Sequence, residues 1–213
     1  MSLPKLPHFQ SKILPVIVLH TVEEAVPLAH AMLEGGIDVM EVTLRSSAGL
    51  PSIEAIARAV PEMVVGAGTV ITPEDLTAAK QAGAQFALSP GANQALLEAG
   101  RTCGIPFVPG VMTPTEAMSA MAQGYELLKL FPATQAGGLG MLRAMAGPFP
   151  QLRFCPTGGI TLENFGAFLG LPNVAMVGGS WLTPPSMVQS RDWAGLRRLA
   201  QQANDETRRA QTL

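Results

Sequence analysis

One pattern recurs along this 213-residue chain and limits its folds more than any other feature: a short β-rich run, a Gly/Pro/Ser/Thr turn, then an Ala-rich amphipathic stretch. The β-rich runs are ILPVIVL (13–19), VMEVTLR (39–45), MVVGAGTV (63–70), FALSP (86–90), PFVPGV (106–111), LLKLFPA (127–133), RFCPTGG (153–159) and VAMVGGS (174–180). They number eight and start about 20–26 residues apart, which is the spacing of βα units. Most are apolar on both faces, as parallel strands covered by helices must be. The rhythm predicts a (β/α)8 TIM barrel over a single domain, 1–213, with an N-terminal arm (1–12) and a C-terminal helix (190–213). An open doubly wound sheet is the alternative α/β arrangement.

The intervening stretches carry helix signals. TPEDLTAAKQAG has Thr72 as N-cap, Pro73 at the first helical position, acids in the first turn and Gly83 as the stop. TVEEAVPLAHAMLEGG, TPTEAMSAMAQG and TLENFGAFLG are read by the same logic.

Composition excludes several classes. Hydrophobic residues make up 47% and charged residues 14%, which permits a large core and argues against disorder. A formal charge of −2 and a pI near 5.9 supply no basic surface for nucleic acid. The N-terminus MSLPKLPHFQ is too polar and proline-rich for a secretory h-region, and no apolar run is long enough to span a bilayer. Cys103 and Cys155 stand far apart and read as free thiols of a cytoplasmic protein. His8, His20 and His30 form no ligand pattern, so neither a metal nor a cofactor is expected.

The barrel rule places reactive residues at the C-terminal strand ends. The polar residues there include Glu41, Arg45, Thr69, Ser89, Lys129, Thr157 and Ser180. Strand side chains alternate faces. In VMEVTLR, Glu41 and Arg45 share a face with Val39 and Thr43, while Met40, Val42 and Leu44 form an apolar face for the helices. In LLKLFPA, Lys129 shares a face with Leu127 and Phe131. Grouping Thr69 with Val65 and Ala67, and Thr157 with Cys155, the expectation is that Glu41, Arg45, Thr69, Lys129 and Thr157 converge on one cavity.

Lys129 is one of only four lysines and the one set in an apolar run. At an ordinary pKa of about 10.4, roughly one lysine in 2,500 is neutral at pH 7, whereas burial favours the neutral, nucleophilic amine. A Schiff base with a carbonyl substrate is the chemistry this permits. A snorkelling lysine, or one paired to Glu41 for structure alone, is the plainer reading. Glu41 is the candidate general acid–base or a structural partner for Arg45 or Lys129. Arg45 offers a fork for a carboxylate, or is a surface cation. Thr69 adds a hydroxyl there, or caps a helix. The glycine pairs in PTGGI and VGGSWL, with Gly158, Gly159, Gly179 and Ser180, let backbone N–H groups approach a phosphate, or merely turn the chain.

Taken in order, EVTLR, VGAGTV, SPG, PG, KLFPA, FCPTGGI and GGSWL resemble the 2-keto-3-deoxy-6-phosphogluconate and 4-hydroxy-2-oxoglutarate aldolases, from about Pro15 to Leu182. The resemblance implies a (β/α)8 barrel, a homotrimer and metal-free class I aldolase chemistry. It implies Lys129 as the Schiff-base lysine and Glu41 as acid–base. Arg45 and Thr69 would hold the pyruvyl carboxylate, and Pro90 and Phe131 would line the pocket. Thr157 would contact the sugar, with Gly158, Gly159, Gly179 and Ser180 at the phosphate. The partners expected are a phosphorylated 2-keto-3-deoxy sugar acid and pyruvate, with no nucleic acid and no membrane. An aldolase for the galactonate epimer, a phosphosugar isomerase or epimerase, and a non-catalytic phosphometabolite-binding barrel remain the rival readings.

Overall fold

The computed structural model describes residues 3–211. Its strands are β1 (Ile13–Ile17), β2 (Val39–Thr43), β3 (Val64–Gly68), β4 (Ala87–Leu88), β5 (Phe107–Val108), β6 (Gly110–Val111), β7 (Leu127–Leu130), β8 (Arg153–Phe154) and β9 (Val177–Gly179). The described pairings are all parallel. Six strands run in the order β5-β4-β3-β2-β1-β9 and three in the order β6-β7-β8. The order follows the chain without the reversal of a doubly wound sheet. The sheet therefore curls, with β9 returning to β1 through Ile13–Val177, Leu14–Gly178 and Pro15–Gly179. The run expected over 106–111 is split at Pro109, which has no N–H to give a ladder but whose carbonyl accepts from Lys129 N at 2.9 Å.

Between the strands lie α1 (Ala25–Glu34), α2 (Gly49–Ala59), α3 (Pro73–Gln81), α4 (Gln94–Thr102), α5 (Pro114–Ala122), α6 (Gly138–Ala146) and α7 (Phe165–Leu169). Then follow α8 (Pro185–Gln189) and α9 (Trp193–Gln211). At α3, Asp75 N donates to Thr72 Oγ1 at 3.1 Å and Thr72 N donates to Asp75 Oδ2 at 3.0 Å. Thr113 and Glu116 exchange the same pair of bonds at α5. Such a cap contributes about 1 kcal/mol. Thr21 precedes a 3-10 turn (Val22–Glu24) rather than α1 itself. The stretch TLENFGAFLG departs further. Thr161 does not cap it; Asn164 precedes a helix of only five residues, and Thr161 N donates to Asn164 Oδ1. The C-terminal helix begins at Trp193, not 190, because α8 and a turn at Arg191 (φ 57°) come first. The outermost residues of the expected arm and helix, 1–2 and 212–213, lie outside the described residues.

Two layers of apolar packing result. Leu14, Val39, Phe86, Leu88, Val108, Cys155 and Met176 fill the concave side of the curl. Met40, Val42, Val65, Ala67, Leu128 and Leu130 face outward into the helix layer. Helix α9 covers α1 with Leu196, Ala200 and Ala203, and Gly35 admits the Ala200 methyl because it has no β-carbon of its own.

Candidate active site

On the concave side β2 places Glu41 and Thr43, the latter donating its hydroxyl to Ile17 O, and β7 places Lys129. Lys129 Nζ lies 2.9 Å from Glu41 Oε1 and 3.2 Å from Oε2, in a pair whose side chains are 5% and 1% exposed. Residues with long side chains need space to meet there, and glycines supply it. Gly66 gives its volume to the Phe86 ring, Gly68 to Glu41, and Gly110 to the backbone at Pro90. The Phe131 ring centroid is 5.6 Å from Nζ. Nearby, burial pushes the Cys155 thiol up to about 12, with Lys129 opposing and Glu41 adding to that shift.

Desolvating two ions costs several kcal/mol each, and an apolar pair of the same volume is often as stable. Stability is therefore a poor reason for this pair. Its chemistry is a better one, because an amine and a carboxyl at hydrogen-bond distance are placed for proton transfer. With the proton on the carboxyl, the amine is a nucleophile and the acid stands beside it.

A cavity of about 350 Å³ opens beyond the pair, at the C-terminal ends of the strands. Arg45, Phe131, Thr157, Gly158, Gly159, Gly179 and Ser180 all line it. Its described lining has a permanent cation, Arg45, and no carboxylate, which suits an anionic substrate. Thr157 is buried, and its hydroxyl packs over Gly178. Gly158 and Gly159 have φ of 97° and 76°, a conformation open to glycine and strained for other residues.

Four expected members are not in this lining: Lys129 and Glu41, which lie beside the lining residues Phe131 and Val16, and Thr69 and Pro90. Thr69 does not line this cavity. Val65 and Ala67 face the helices, so the inward positions of β3 are Gly66 and Gly68, and Thr69 (φ 58°) leaves the strand alternation altogether. Pro90 does not line it either; its backbone abuts Gly110, the β6 residue paired with Lys129. His20, Ile160 and Gln189 also line the cavity. His20 carried a weak signal, since it follows β1 as Arg45 follows β2. Among the described residues, no group of three or more His, Cys, Asp or Glu side chains is arranged to hold a metal ion.

Comparison with known proteins bears on this geometry. A family model described as "Aldolase: KDPG and KHG aldolase" matches residues 8–199. A 2-dehydro-3-deoxy-phosphogluconate aldolase of Pseudoalteromonas atlantica is 47% identical over 194 residues, 91% of this chain and 90% of that protein. A KHG/KDPG aldolase of Escherichia coli K12 is 47% identical over 191 residues, 90% of each chain. The crystal structure of KDPG aldolase from Legionella pneumophila, with pyruvate captured as a covalent carbinolamine intermediate, superposes with a TM-score of 0.90. It is 45% identical, over 91% of this chain and 94% of that one.

Proposed function

The chain belongs to the KDPG and KHG aldolase family, and from that premise we propose which of its residues carry the reaction. It is a class I aldolase, a carbon–carbon lyase that cleaves 2-keto-3-deoxy-6-phosphogluconate to pyruvate and glyceraldehyde 3-phosphate. Lys129 is the nucleophile. Its amine adds to the C2 ketone, and loss of water from the carbinolamine leaves an iminium ion. Glu41 takes the proton of the C4 hydroxyl, the C3–C4 bond breaks, and its electron pair moves into the iminium to give an enamine. The aldehyde departs. Glu41 returns a proton to C3, and water releases pyruvate and the free amine.

The observation that carries this reading is the buried Lys129–Glu41 pair at 2.9 Å beneath a cavity with no carboxylate in its described lining. Arg45 binds the substrate carboxylate, so that C2 is held over the amine. Thr69, which follows Gly68, adds its hydroxyl at that carboxylate, and Pro90, against Gly110, lines the pocket with Phe131, which shields the imine. Thr157 meets the sugar hydroxyls, and Gly158, Gly159, Gly179 and Ser180 hold the phosphate. The same pyruvyl end serves 4-hydroxy-2-oxoglutarate, cleaved to pyruvate and glyoxylate. An epimerase or a silent barrel is not favoured, since neither needs a nucleophilic amine.

Borohydride added with pyruvate tests the assignment: reduction should attach one pyruvyl group, and peptide mapping should find it on Lys129. Labelling at Lys80, or none, would overturn it.

We read the curled sheet as one (β/α)8 barrel domain. The bonds Ala175 N to Phe154 O and Gly178 N to Pro156 O, both 2.9 Å, support closure between β8 and β9. We also infer a homotrimer, supported by the exposed apolar side chains of Ile71, Met112 and Met118, and testable by light scattering. Among the described residues no helix is long and apolar enough to cross a membrane. A cytoplasmic site is our inference from the substrate, whose charges keep it from crossing a bilayer unaided.

A further inference from the structure

Three consecutive peptide planes run along the phosphate end of the cavity, and each has its carbonyl tied from behind. Thr157 O accepts from Ala133 N at 2.7 Å, and Gly158 O accepts from Thr134 N at 3.1 Å. Gly159 O accepts from Asn164 Nδ2 at 2.9 Å. A trans peptide is planar, so its N–H points opposite to its C=O. Tying the three carbonyls therefore aims the N–H groups of Gly158, Gly159 and Ile160 the other way. The Gly158 N–H turns into the ladder toward β9, where Thr157 bridges Gly178; the Gly159 and Ile160 N–H groups have no hydrogen-bond partner among the described residues, and all three residues line the cavity. Two successive free N–H groups make an anion cradle.

Two of the three clamps are backbone to backbone. The third is a side chain, and it is itself locked, because Asn164 Oδ1 accepts from Thr161 N at 2.9 Å. We infer that Asn164 is the positioning residue of the phosphate cradle, holding the Gly159–Ile160 peptide so that the Ile160 N–H joins that of Gly159. This rests on the phosphate reading of Gly158 and Gly159 given above. Asn164 touches no substrate atom; it acts through the peptide it orients, and so sets preference for phosphorylated over unphosphorylated ligands.

The test uses the full chain with Asn164→Ala and Asn164→Asp, folding being checked by circular dichroism. Aspartate keeps the acceptor for Thr161 N but has no donor for Gly159 O. Both variants should raise KM for 2-keto-3-deoxy-6-phosphogluconate about tenfold, the worth of one aimed hydrogen bond to a charged ligand. They should weaken competitive inhibition by inorganic phosphate by a similar factor. The pyruvate concentration for half-maximal borohydride trapping should shift less than twofold, since pyruvate carries no phosphate. An Asp variant that matches wild type, or KM and pyruvate half-saturation rising together, would overturn the role of Asn164. Should wild type itself not be inhibited by phosphate, the cradle assignment fails and the inference goes with it.

Discussion

A β-carbon on Gly68 would collide with the Glu41 carboxylate, so the acid occupies the volume this glycine leaves vacant. No positive φ requires glycine at 68; the requirement comes from Glu41. Gly68→Ala should therefore act as a displaced-carboxylate variant. Overpacking would cost about 1–3 kcal/mol of stability. Turnover should fall at least tenfold while pyruvate trapping at Lys129 persists. Unchanged turnover, measured by pyruvate release, would show that Glu41 has room to spare.

Glu41→Gln keeps the shape and loses the acid. Turnover should fall by about 10²–10⁴. Imine formation with pyruvate should survive, because the amine is still present. The check pairs steady-state pyruvate release with borohydride trapping on the same sample. A variant with full turnover removes Glu41 from proton transfer.

Arg45→Ala should weaken pyruvate binding by about 10–100-fold, since a charge-assisted bond contributes about 1.5–3 kcal/mol. Arg45→Lys should recover only part of that, because an ammonium lacks the two-pronged donor. The half-saturating pyruvate concentration in trapping experiments measures both. Equal values for all three proteins would place the carboxylate elsewhere.

Cys155 gives a pH prediction with a definite sign. Burial raises its thiol from an ordinary 9.0 to about 12. On unfolding above pH 9 the thiol releases a proton that the folded protein keeps. Its contribution to stability is thus fully present below pH 9 and is lost as pH climbs toward 12. The slope reaches about 1.4 kcal/mol per pH unit in that window. Tyr125, raised by its own burial, adds a similar slope from pH 10.0 upward. Urea midpoints at pH 8 and pH 10 should therefore drop less for Cys155→Ala than for wild type. Identical drops would mean the thiol ionises freely in the fold.

The site was legible where strands are regular. In VMEVTLR and LLKLFPA every second side chain is informative, so Glu41 and Lys129 fall on the concave side as alternation requires. In VVGAGT the inward positions are glycines, so alternation groups Thr69 with the outward Val65 and Ala67, whereas at φ 58° it follows neither face. Asn164 escaped notice because Thr161 begins its stretch as Thr72 and Thr113 begin theirs. Only the position of the Gly159 carbonyl shows that the asparagine does the binding.

By itself, the sequence determined the number and order of the βα units and which strand faces hold a lysine and a carboxylate. Both follow from local periodicity and from the cost of burying charge. Only the tertiary structure decided that Lys129 and Glu41, 88 residues apart, come to 2.9 Å, and that the residues of two free N–H groups, Gly159 and Ile160, line the neighbouring cavity. Those outcomes depend on register between distant strands and on the space that glycines surrender to residues far along the chain. Neither is written into any local stretch.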